Sequence, residues 1–142
     1  MAVNLKANSN GSMGLQGTDM DDGGFLTLNI EYTASSVDKV CFIAPRKMIV
    51  TKIVGRPTVA GTDAGTVTAA IKKAASGTAI TSGTALHSGT VNLKGTADTI
   101  QSLTLSTTAA TLEVAAGTAI GVDFTGVLTA ATGVITVTLA PA

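Results

Sequence analysis

Few side chains in this 142-residue chain are of a type that does chemistry, and none stands at a spacing that chemistry needs. His87 is the one histidine, in the run Leu86-His87-Ser88-Gly89. A nucleophilic triad needs a base, a nucleophile and an orienting acid. Ser88 is adjacent, but neighbours on a strand point to opposite faces, so imidazole and hydroxyl diverge. His87 is therefore expected at a surface or rim. Cys41 is the one cysteine, which excludes a disulfide within the chain. Zinc needs three or four ligands, and one histidine with one distant cysteine do not supply them. Cys41 lies in the apolar run Val40-Cys41-Phe42-Ile43 and reads as a small buried hydrophobe.

The carboxylates are equally scattered. Asp19, Asp21 and Asp22 precede Gly23-Gly24 and match the opening of a calcium loop, whose oxygen ligands recur at alternate positions. The helical flanks and the closing glutamate are missing, and Glu31 falls at the wrong spacing. The cluster reads as a solvated turn. Glu31, Glu113 and Asp123 are lone carboxylates on expected strands, whereas glycoside hydrolysis needs two facing each other across a sugar. With no Trp and one Tyr, the chain is also poor in the aromatic platforms that sugar sites use. The glycines sit in Gly-Thr turns and not before a helix whose N-terminus could take a phosphate. The expectation is a chain with no catalytic, cofactor-binding or metal-binding residues, and so not an enzyme.

The elements that would position any site are strands. Gly-Thr recurs at Gly61-Thr62, Gly65-Thr66, Gly77-Thr78, Gly83-Thr84, Gly89-Thr90, Gly95-Thr96 and Gly117-Thr118. Threonine's branched Cβ suits a pleated surface, and glycine supplies the positive φ of tight turns. Period-two alternation begins at Phe25, with Leu26, Leu28, Ile30 and Tyr32 facing one way. Further strands are expected over 37–44, 48–54, 66–73, 85–93, 99–106, 119–125 and 134–139, with a short one at 111–114. In the third, Ile49, Thr51 and Ile53 are set opposite Val50, Lys52 and Val54. Gly55-Arg56-Pro57 is expected to end or bulge it. Phe124 and Leu139 are expected to be buried on facing sheets. The Ala-rich piece 69–75 has helical propensity, but period two runs straight into it, so it too reads as strand. The expected fold is all-β: an antiparallel two-sheet sandwich of about eight strands, a jelly roll, over residues 25–142. Residues 1–24 read as an extended N-terminal arm, rich in turn-formers and with few apolar anchors.

Composition narrows the function classes. Aromatics are 3% and hydrophobic residues 45%, so the core must be aliphatic. Charged residues are only 13%, about half the usual share, which suits a chain packed against partners. A net charge of +0 gives no nucleic-acid footprint. No apolar stretch reaches the ~20 residues of a membrane span, and the polar start of the chain does not read as a signal peptide.

Several phrases carry a resemblance: Val40-Cys41-Phe42-Ile43-Ala44-Pro45, Met48-Ile49-Val50-Thr51-Lys52-Ile53, the runs 60–68 and 91–97, and Leu112-Glu113-Val114-Ala115-Ala116-Gly117-Thr118-Ala119-Ile120. Over residues 37–140 the chain resembles the small head proteins of tailed bacteriophages that decorate, or cement, the capsid. The resemblance implies a jelly roll on the outer surface of the virion, made in the host cytoplasm. It also implies dimers or trimers that clamp neighbouring subunits of the major capsid protein. It carries no catalytic residues, and the arm before Phe25 has no counterpart in it. From the residues alone, a tail or head-fibre subunit fits equally, and a carbohydrate-binding sandwich stays open.

Overall fold

The alternation becomes antiparallel strands throughout. The computed structural model describes residues 5–7, 13–15 and 25–142. Two three-residue strands come first, β1 (Leu5–Ala7) and β2 (Met13–Leu15), paired with Leu5 opposite Leu15 and Ala7 opposite Met13. Asp19, Asp21 and Asp22, like most of the expected arm, lie outside the described residues.

Two five-stranded sheets follow. In the first, β5 (Met48–Val59) and β14 (Thr132–Pro141) form the centre, β3 (Leu26–Tyr32) flanks β14, and the short β10 (Gln101–Ser102) and β12 (Glu113–Val114) flank β5. In the second, β13 (Ala119–Thr125) and β6 (Thr68–Ala74) are central. β4 (Lys39–Ile43) flanks β13, while β7 (Thr84–Ala85) and β9 (Val91–Asn92) flank β6. A third ladder joins β8 (His87–Ser88) to β11 (Thr104–Leu105). The two large sheets share one core. Ile30, Tyr32, Val50, Ile53, Ile135, Val137 and Leu139 come from the first, and Ala69, Ile71, Ile120 and Val122 from the second. It is aliphatic, as the composition requires, apart from Tyr32 and the half-buried Phe42 and Phe124; the rings of Tyr32 and Phe124 are 6.2 Å apart and tilted.

Four expectations need correction. β5 does not stop at Val54 but runs on to Val59; of the two outcomes expected at Gly55-Arg56-Pro57 the bulge is found, at Thr58 beside Pro57, and a second bulge lies at Thr51. The bulge at Thr51 also reverses the facing beyond it, so Val50 and Ile53 are both buried while Thr51 is exposed. Gly55 is required where β5 meets the other sheet: a Cβ there would lie 2.6 Å from Val91 Cγ1. The expected strand at 111–114 is instead a helical turn, α1 (Ala109–Leu112), leading into β12. Its alanines favour helix, and Lys73 Nζ donates to the carbonyls of Ala110 (2.9 Å) and Glu113 (2.6 Å) at its C-terminal end. Phe124 is only half-buried, since it stands near the end of β13, while Leu139 is fully buried as expected.

Leu139→Ala should therefore cost about 2–5 kcal/mol, because it leaves a cavity between the sheets. Thr138→Ala should cost well under about 1 kcal/mol, since its side chain is on the outer face of the same strand. Urea denaturation of both variants checks the pair. Equal losses would mean that the register of β14 against β3 and β5 is different.

Candidate functional site

The two open sides of the sandwich are treated differently, and the difference locates the candidate site. One side is closed. The segment from Gln101 to Ser106 starts in the first sheet, where Gln101 and Ser102 pair with Gly55 and Val54 and Leu103 N–H donates to Ile53 O. It then crosses to the third ladder, where Thr104 and Leu105 pair with Ser88 and His87 and Ser106 N–H donates to Leu86 O. Residues 84–93 in turn lie along β6, through the pairs Lys73–Thr84, Lys72–Ala85 and Ala69–Val91. The sequence reads these residues as one continuous strand, but the ladder is broken in the middle.

Two side chains mend that side. His87 is buried, and its Nε2 accepts the N–H of Ile71 at 2.8 Å, standing in for the carbonyl that the broken ladder lacks. Nδ1 therefore carries the proton and faces Ser88 O at 3.4 Å. This overturns the expectation of a rim histidine. The imidazole is held in by a backbone donor that alternation alone does not reveal. Gln101 works in the same way: its Oε1 accepts the N–H of Asn92 at 2.8 Å and its Nε2 donates to Asn92 O at 2.7 Å. One side-chain amide thus makes the pair of bonds that a neighbouring strand would make, and it ties β10 of the first sheet to β9 of the second. No signal short of the fold marks either role.

The opposite side is open. Here β3 and β4 are the outermost strands of their sheets, and a cleft of about 390 Å³ lies between them, lined by Asn29, Ile30, Glu31, Lys39, Val40 and Cys41. Lys39 Nζ donates to Glu31 O at 3.4 Å, so that carbonyl faces the cleft and not β14. In an antiparallel strand, main-chain groups of alternate residues point the same way. Thr27, Asn29 and Glu31 therefore all present N–H and C=O to the open side. Apolar side chains stand exposed along it: Phe25 just before β3, Val37 just before β4, and Val40 and Ile43 on β4. Cys41 is half-buried on the same seam, and burial pushes its thiol pKa up, partly offset by Lys39.

The remaining residues singled out from sequence are not brought together. Ser88 is exposed on β8, and its hydroxyl donates to Thr104 O at 3.4 Å. Glu113 pairs with Lys47 at 3.3 Å, and Asp123 with Lys72 at 2.6 Å. Glu31 is on the open side. Among the described residues no three His, Cys, Asp or Glu side chains gather where they could hold a metal ion, and no helix is long and apolar enough to cross a membrane. No family model, curated protein or solved structure matches the chain. The geometry thus offers a main-chain edge with an apolar border, which is suited to holding another polypeptide.

The closed side makes a prediction about pH. Burial lowers the pKa of His87 below 6.5 in the folded protein, against a smaller opposing effect from backbone carbonyls at Ser88 and Gly89. Between that lowered value and 6.5 the unfolded chain binds a proton that the folded one does not, so stability rises with pH across the window. The stabilisation from neutral His87 is complete above 6.5 and is lost as pH falls towards the folded value. His87→Ala should remove this slope. It should also cost about 1–3 kcal/mol at neutral pH, because Ile71 N–H loses its buried acceptor. Thermal melts at several pH values read both effects. An unchanged slope in the variant would mean that another group sets it.

Proposed function

We propose that the protein is a structural subunit of a tailed-phage head, bound to the outer surface of the capsid, where it bridges subunits of the major capsid protein. The observation that carries the reading is the open side of the sandwich. Two edge strands, each with one flank unpaired among the described residues, lie next to each other there, bordered by Phe25, Val37, Val40 and Ile43, all exposed. Unprotected edges of this kind invite strand addition from another chain.

Three further features support it. The phrases at 40–45, 48–53, 60–68, 91–97 and 112–120 resemble decoration proteins. The strand order also fits a jelly roll. Counting 84–93 and 101–106 as one strand each, eight main strands lie in the order first, eighth, third, sixth in one sheet and second, seventh, fourth, fifth in the other. Third, a surface with 13% charged residues overall is cheaper to cover than one dense with charge. The activity of such a protein is mechanical. Each copy adds modest contacts, and repetition over a shell multiplies them, so that subunits bound together resist outward pressure.

Capsids assembled without the protein should take it up to a plateau of fixed stoichiometry in co-sedimentation, and loaded heads should release DNA at a higher temperature than bare ones. Ile43→Asp, which puts a charge on the apolar border without entering the core, should weaken uptake about tenfold or more. Uptake that never saturates, or heads no harder to open when loaded, would defeat the proposal.

A further inference from the structure

We infer that the open side is the receptor for the N-terminal segment of a second copy of this chain, whose β1 strand adds to the free edge of β3 and carries β2 with it. This rests on reading the chain as an assembling subunit; it gives the β3 edge to a neighbouring copy and leaves the exposed Val37 and Ile43 at the border to the capsid.

The two edges of the seam are not equally receptive. Natural edges are protected by bulges, by lysine and by shortness. β4 has all three: five residues, Lys39, and a break in its pairing with β13 beside Cys41. β3 has none. Its seven residues pair with β14 in unbroken register, and it contains neither proline nor lysine. The main-chain groups of Thr27, Asn29 and Glu31 face outward, and among the described residues the Lys39 ammonium meets the carbonyl of Glu31. An incoming strand would replace that single bond with a ladder. Val40 and Cys41 across the cleft would cover its inner face.

The chain itself contains a fitting strand. In sequence, the apolar Val3, Leu5 and Ala7 alternate with Asn4 and Lys6, the period-two pattern of a strand able to bury one face. The β1–β2 ladder has two strands, and a ladder of that size is marginal in water unless a larger sheet extends it. The segment also leaves from the right place, since it joins the sandwich at Phe25, immediately before the receptive edge. The 24 residues before Phe25 reach ~80 Å when extended, over three times the ~23 Å length of β3, which is ample for a neighbour.

Cys41 supplies the probe. Full-length A7C/C41S protein is mixed with the unaltered chain and oxidised with diamide, and joined peptides are identified by mass spectrometry. A peptide containing position 7 joined to one containing Cys41 can form only between chains, and this is the expected product. Thr27→Pro in the chain that keeps Cys41 removes an outward N–H and leaves the β14 ladder whole. It should lower the yield of that product about tenfold, the equivalent of one or two main-chain hydrogen bonds. Leu5→Asp in the A7C/C41S partner should do the same without touching the sandwich, and it decides the matter if Thr27→Pro fails to fold. The inference is overturned if the mixture yields no such product. It is also overturned if A7C alone links only within one chain, or if both blocking variants link at the unaltered yield. Because no capsid is present, failure here is separate from failure of capsid binding.

Discussion

The sandwich depends on the position of its last strand. β14 lies between β3 and β5, opposite seven residues of the one and ten of the other, and it contributes Ile135, Val137 and Leu139 to the core. The first sheet therefore has no centre until the end of the chain arrives. β3 comes from the start of the sandwich and meets a partner more than 100 residues away, as in the bond from Thr136 Oγ1 to Asn29 Oδ1 at 2.9 Å. Closing such long loops costs entropy before any pairing repays it, which makes this a slow-folding topology. Until β14 docks, β3 exposes both of its edges, and afterwards it exposes one.

That same order explains why the two sides differ. The middle of the chain, residues 84–106, has enough length to fold over one side and switch sheets, and it closes that side with His87 and Gln101. The turn from β3 to β4 is too short to do so. It spans only residues 33–38, with Ser36 N–H donating to Thr33 O at 3.0 Å and Thr33 N–H to Ser36 Oγ at 2.9 Å. It carries the chain from one sheet to the other and leaves nothing over to cover the seam. Openness on that side thus follows from connectivity, and the exposed Val37, Val40 and Ile43 mark where it leaves apolar surface.

Much of the fold was legible from period-two alternation because one face of each long strand is buried. Leu26–Tyr32, Val67–Ile71, Ala119–Val122 and Ile135–Leu139 read correctly for that reason. Where one residue is inserted, alternation misleads: Thr51 shifts the facing of β5, and no residue type announces a bulge there. Residues 85–93 read as one strand because their types suit a strand throughout, while the continuity of that edge comes from side chains replacing backbone groups. The candidate site was the least legible part. Val40-Cys41-Phe42-Ile43 reads as core, and only the topology shows that β4 is an edge whose outer flank no described strand covers.

Tyr32 is the only tyrosine, and tryptophan is absent. It sits at the end of β3, fully buried against Gly133 and tilted towards Phe124, and burial pushes its phenol up to about 12. Every ultraviolet signal that the protein owes to a phenol or indole thus originates at one point on its open edge. Tyrosine emission and the alkaline absorbance shift act as a built-in dye on β3, able to follow that strand's docking during folding and its surroundings during assembly without any label.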